Sequence, residues 1–108
     1  IWRVESGINF YFNGVSRYIF TEIFVSTTGI SGSFASKSLT RAFITKEAGT
    51  SNTTQTSAYN TIVTDVTTSG TSGTAITFVI SLEDTGTTIA GNPTYMESWF
   101  MFTRLGDT

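Results

Sequence analysis

The chain has 108 residues, of which 13% are charged, with a net charge of −2, ten Gly, one Pro, and neither Cys nor His. That length fits one domain, and charge this sparse leaves no electrostatic footprint for nucleic acid. Without Cys or His there is no disulfide framework, no thiol chemistry, no Ser-His-Asp or Cys-His pair and no common zinc site.

Val, Ile, Phe, Tyr, Trp and Thr dominate, while the strong helix formers are scarce, which favours strands. Gly, Asn and Ser clusters break these segments roughly every ten residues, the signature of an all-β antiparallel sandwich or barrel. In chain order, Ile8, Phe10 and Phe12 alternate with Asn9, Tyr11 and Asn13. Asn13-Gly14 follows as a tight-hairpin signal, because both residues tolerate positive φ. Further strands are predicted over 15–26, 38–46, 59–66, 74–83 and 95–105, the fifth of the six strands with Ile76, Phe78, Ile80 and Leu82 on one face. The polar stretches 49–57 (GTSNTTQTS) and 67–74 (TTSGTSGT) read as loops. No apolar run approaches the ~20 residues of a membrane-spanning helix. The start at Ile1-Trp2, inside apolar sequence and without Met, reads as a piece cut from a longer protein.

Two predicted strands are apolar on both faces. In 15–26 one face carries Val15, Ile19, Ile23 and Val25, and the other Tyr18, Phe20 and Phe24. In 95–105 one face carries Tyr95, Trp99, Met101 and Leu105, and the other Met96, Phe100 and Phe102. A two-layer β domain buries one face of each sheet and wets the other. A strand apolar on both sides needs a second cover, most simply another subunit.

Asp84-Thr85-Gly86 resembles the catalytic turn of aspartic proteases, but only 24 residues follow Asp84. They hold no flap hairpin or helix pattern to close a shared-proton carboxylate pair from water. Glu83 adds a charge where such a protease is apolar, so the stretch reads as a strand end and turn. Asn52-Thr53-Thr54 fits the N-glycosylation pattern, which arises easily by chance in a Thr-rich loop. No nucleophile–base pair can be named, no cofactor is implied, and the expected role is not enzymatic.

The arginines sit among apolar neighbours: Arg17 with Val15 and Ile19, Arg41 between Leu39 and Phe43, Arg104 after Phe100 and Phe102. A guanidinium there must find an anion, because an unpaired buried charge is costly. It can pair with Glu22 or Glu97 or snorkel to a strand end, or Arg17, Arg41 and Arg104 can hold a small carboxylate at a subunit boundary.

The all-β pattern, the Ser/Thr/Gly-rich loops and the aromatic closing strand ESWFMFTRLGDT together resemble the C-terminal knobs of bacteriophage tail fibres and, above all, the tail-needle tip knobs of short-tailed phages. The resemblance implies a jelly roll of the tumour-necrosis-factor or C1q type, forming a homotrimer with an aromatic inner sheet at the three-fold axis. The first and last strands would belong to that sheet. Residues 1–108 would be one knob, the C-terminal part of a longer fibrous protein at the tail tip of the virion. Phe10, Phe12, Phe20, Phe24, Trp99, Met101 and Phe102 become the interface or core candidates, and the partner a bacterial surface glycan or outer-membrane component. At 108 residues the chain is short for that jelly roll. A second reading is a carbohydrate-binding module using an open strip of Trp2, Tyr11, Tyr59 and Trp99. A third is a capsid or decoration protein.

Overall fold

A computed structural model of the chain describes residues 1–12, 17–44, 54–68, 72–82, 87–89, 91, 94 and 97–107. They form seven strands: β1 (Trp2–Phe12), β2 (Arg17–Ser26), β3 (Ala35–Ile44), β4 (Thr54–Thr64), β5 (Ala75–Leu82), β6 (Thr87–Ile89) and β7 (Trp99–Arg104). Among the described residues there is no α-helix, and none long and apolar enough to cross a membrane.

All pairings are antiparallel. β1 is the spine of a four-stranded sheet, with β4 along one edge from Trp2–Thr64 to Phe12–Thr54. Its other edge is shared by β7, from Trp2–Arg104 to Gly7–Trp99, and β6, from Phe10–Ile89 to Phe12–Thr87. β2 is the spine of the second sheet, ordered β3-β2-β5. An extra residue in β3, Lys37, shifts the β2–β3 register between Ile23–Ser38 and Phe24–Ser36. Gly29 allows the turn after β2, at φ 91°, where a side chain would be strained. At one pole Leu105 N donates to Ile1 O at 2.8 Å, and the Ile1 ammonium to Gly106 O at 2.6 Å.

Alternation along the spines writes the core. On β1, Val4, Ser6, Ile8 and Phe10 share one face; on β2, Ile19, Thr21, Ile23 and Val25 do, and all are buried. Ile8, Phe10 and Ala58 of one sheet pack with Ile19 and Ala42 of the other, with Ile80 at the margin. Removing a side chain such as Phe10 or Ile8 from water contributes about 1.5–3 kcal/mol each. Where β7 faces β5, Phe78 meets Phe100 at 4.2 Å and Phe102 edge-on at 6.0 Å between ring centres. Both β7 rings are still about half exposed, so this side of the core is thinly covered.

The sheets are also bolted by a buried amide. Asn60 of β4 is 1% exposed. Its Nδ2 donates to Thr21 O at 2.9 Å and to Thr21 Oγ1. Its Oδ1 accepts from Ser38 Oγ at 2.8 Å and Thr40 Oγ1 at 2.7 Å. Both donors and both acceptor sites are thus filled from the opposite sheet, and burial imposes no penalty of unmet polarity.

The expected all-β antiparallel class is observed, with several differences in the elements. β1 begins at Trp2 rather than Ile8, because Val4 and Ser6 continue the inward face, where the polar Ser6 hides the alternation. β4 begins at Thr54, inside the stretch expected to be a loop. β6 was not expected; it has only three residues. β7 covers Trp99–Arg104 of the strand expected over 95–105, and Tyr95 and Met96 lie outside the described residues. The hairpin expected at Asn13-Gly14 does not join paired strands: both edges of β1 are taken by β4, β6 and β7, and β2 lies in the other sheet. Asn13, Gly14, Asn52, Thr53 and Asp84-Thr85-Gly86 lie outside the described residues.

Replacing Asn60 with Ala leaves the buried Thr21 hydroxyl and the half-buried Ser38 hydroxyl without their amide partner, while Thr40 Oγ1 keeps Tyr59 O as an acceptor at 2.8 Å. We expect a loss of about 2–4 kcal/mol, read as a lower urea midpoint at unchanged m-value. A change below about 0.5 kcal/mol would show that the bolt is dispensable.

Candidate functional site

The outward residues of the spines decide what surfaces the molecule presents. On β1 they are Arg3, Glu5, Gly7 and Asn9. Register sets them in rows across the four-stranded sheet: Val63–Arg3–Thr103, Thr61–Glu5–Met101 and Tyr59–Gly7–Trp99. Gly7 is the middle of an aromatic row. A Cβ there would lie 2.6–2.8 Å from the indole atoms Cε2, Nε1 and Cζ2 of Trp99. The indole thus rests on the bare backbone of β1, a close approach that justifies a glycine costing about 0.5–1 kcal/mol in a strand interior. Tyr59 leans in from the other side, ring centres 5.9 Å apart and planes inclined at 56°.

Polar groups frame the two rings. Arg3 Nε lies 3.1 Å from Glu5 Oε2, and the Tyr59 hydroxyl donates to Glu5 Oε1. Glu5 is only 9% exposed. Its carboxylate, by accepting the phenolic proton, holds Tyr59 above the ordinary value of 10; desolvation and the carboxylate's charge act the same way, while the Thr61 hydroxyl and Arg3 oppose them. On the other flank Asn9 clamps the start of β7. Its backbone N–H donates to Ser98 Oγ at 3.0 Å, its Nδ2 to Glu97 O at 2.5 Å, and Ser98 Oγ donates to Asn9 O at 3.2 Å. Ser57 Oγ donates to Asn9 Oδ1. This clamp immediately precedes Trp99 and fixes where its ring lies.

The outer face of the second sheet differs. Its rows are Phe43–Tyr18, Arg41–Phe20–Ser81, Leu39–Glu22–Val79 and Ser36–Phe24–Thr77. Tyr18 and Phe20 stack with ring centres 6.4 Å apart. Phe43, Leu39 and Tyr18 are exposed, and Ser36 Oγ donates to Glu22 at 3.0 Å. A shallow depression of about 320 Å³ is lined by Tyr18, Arg41, Ala42 and Phe43.

The interface candidates therefore do not share one surface. Phe10 is fully buried in the core. Phe20 and Phe24 lie on the outer face of β2, Trp99 and Met101 on that of the β1 sheet, and Phe102 in the thin seam against Phe78. The side chains of Phe12 and Arg17 are outside the described residues. Arg41 and Arg104 lie in different sheets, Arg41 beside Phe20 and Arg104 paired with Asp107, neither Glu22 nor Glu97. Of the strip Trp2, Tyr11, Tyr59 and Trp99, the structure joins only Tyr59 and Trp99. Trp2 is on the opposite face of β1, in a depression with Val66, Arg104 and Asp107, and the Tyr11 side chain is outside the described residues. Gly7, Glu5 and Arg3 escaped sequence reasoning, since only the register sets them beside Trp99. No group of three or more Asp or Glu that could hold a metal occurs among the described residues.

Two outcomes follow. Glu5→Gln removes the carboxylate that holds the Tyr59 proton, so the phenol should titrate closer to 10, read by ultraviolet tyrosinate absorbance against Tyr59→Phe. The stability from the raised phenol is present below 10 and lost as pH climbs through the raised value; Tyr59→Phe should flatten that alkaline loss. Gly7→Ala should displace the Trp99 ring and lower stability by about 1–3 kcal/mol, with Trp99 emission shifted red in a Trp2→Phe background. Unchanged emission would mean the indole does not rest on the strand.

Compared with known proteins, the chain matches no family model, no curated protein and no solved structure.

Proposed function

We propose that the chain is a non-enzymatic β knob that self-associates as a homotrimer at the tip of a phage tail needle or fibre and contacts the bacterial cell surface there. The observation that carries self-association is the outer face of β3-β2-β5. Tyr18, Phe20, Phe24, Leu39, Phe43 and Val79 share it; within one chain Tyr18, Leu39 and Phe43 are exposed and the other three are partly buried. Apolar area left in water forgoes about 25 cal/mol per Å², and contiguous patches of this kind are the usual mark of protein contact. Glu22 and Arg41 occupy neighbouring rows of the same face, so copies can set opposite charges against each other.

The tail-tip assignment rests on the resemblance carried by the closing strand. The side-by-side pairing of β1 and β7, the first and last strands, is in keeping with a tumour-necrosis-factor-like jelly roll. The reading departs from the resemblance in one respect: the self-association face is on the β2 sheet, not the sheet of the first and last strands.

Light scattering after size exclusion tests this reading. Three chains of 11.7 kDa give 3 × 11.7, about 35 kDa. Phe20→Asp with Phe43→Asp should reduce the mass to that of one chain while strand content is kept. A single-chain mass for the unmodified protein at every concentration would overturn the trimer.

A further inference from the structure

We infer that the outer face of the β4-β1-β7 rows binds a neutral oligosaccharide, with Trp99 and Tyr59 as its floor and Arg3, Glu5 and Thr61 as its hydrogen-bonding rim. The inference goes beyond self-association: every group belongs to one chain, so the site is complete in a monomer. It gives the proposed surface contact a ligand class and stands even if the trimer fails.

The floor is built for close approach. Gly7 surrenders its side chain so that the indole can lie on the strand, and the Asn9–Ser98 clamp fixes the residue before it. Tyr59 tilts against it at 56°, leaving a shallow V rather than a closed stack. An aromatic face of this kind accepts the weakly positive C–H edge of a sugar ring through its negative quadrupole. The rim lies one and two rows away along β1, at about 6.7 Å per pair of residues, a spacing comparable with a pyranose ring. Arg3 uses its Nε on Glu5 and is about half exposed, so its terminal guanidinium nitrogens remain as donors. Glu5 is held by Arg3 and Tyr59 with lone pairs to spare. A guanidinium beside an oriented carboxylate presents donors and acceptors together, as neighbouring sugar hydroxyls require.

The same chemistry disfavours a second copy as the occupant. A flat apolar partner would strip water from the half-exposed Arg3 guanidinium without replacing its hydrogen bonds. A polyhydroxyl ligand replaces them group for group. The opposite charges of Arg3 and Glu5 offset each other, which suits a neutral sugar.

The test uses the full chain carrying Trp2→Phe, so that Trp99 is the sole tryptophan, with Phe20→Asp and Phe43→Asp added in parallel to separate sugar binding from self-association. Chitotriose, maltotriose, cellotriose and the polysaccharide released from lipopolysaccharide are titrated, reading Trp99 emission and heat. We expect saturable binding of at least one. Trp99→Ala, read by heat alone, should weaken it roughly tenfold or more, as loss of one stacking face predicts, and Arg3→Ala severalfold, with circular dichroism unchanged. No response to any probe would overturn the site, as would affinity undiminished by Trp99→Ala and Arg3→Ala. If Trp99→Ala does not fold, Arg3→Ala and Thr61→Ala decide, and unchanged affinity in both overturns the proposal. If Trp99→Ala instead dissociates an assembly, the face is a subunit contact and the saccharide assignment fails.

Discussion

Asn60 fixes how the two sheets face each other. A primary amide offers two donors and two acceptor sites, and here all four are met by Thr21, Ser38 and Thr40 across the gap. The apolar core around it is modest, with only Phe10 as a large aromatic fully inside among the described residues. Aliphatic side chains alone would tolerate a sheet that slid or rotated slightly. The amide does not, because a shift of one residue would leave it and its partners buried without partners. The polar bolt therefore supplies the uniqueness that a small core lacks.

Once the inner faces are locked, the outer ones are fixed by period two. β1 writes Arg3, Glu5, Gly7 and Asn9 outward; β2 writes Tyr18, Phe20, Glu22 and Phe24. The first set builds a framed aromatic pair, the second a broad apolar surface with one opposite-charge pair. One sandwich-like body thus carries two unlike surfaces back to back. Under the proposed reading, this separation would let cohesion between copies and contact with a foreign surface be tuned by different residues.

What the sequence revealed and what it hid follow the same physics. β2 and β5 were legible because Ile19, Ile23 and Val25, broken only by Thr21, and Ile76, Phe78 and Ile80 recur on one face. The two-sidedness of β2 was legible as well, since Tyr18, Phe20 and Phe24 fall on the outward positions. The first half of β1 was not, because WRVESG keeps its inner face with Val4 and a serine. The start of β4 was hidden for a similar reason: Thr54 to Ser57 has no large apolar residue and takes its strand identity from pairing with Asn9 to Phe12. Asn60 could not be read at all, since its partners lie about 20 and 39 residues away in the chain. The row Tyr59–Gly7–Trp99 joins three distant segments and exists only once the register of both β1 ladders is known.

The pairing of Ile1 with Leu105 and Gly106 puts the N-terminal end of β1 beside the C-terminal end of β7. Tension applied between the two ends would open the β1–β7 ladder like a zipper, one pair at a time, at low force. Tension between either end and something gripped on the outer face of the sheet runs instead along the strands. It loads many hydrogen bonds of the β1 ladders together, in shear, which is the strong direction of an antiparallel sheet. A load that enters at this pole and leaves through the outer face of the β1 sheet therefore meets the sheet's stronger direction.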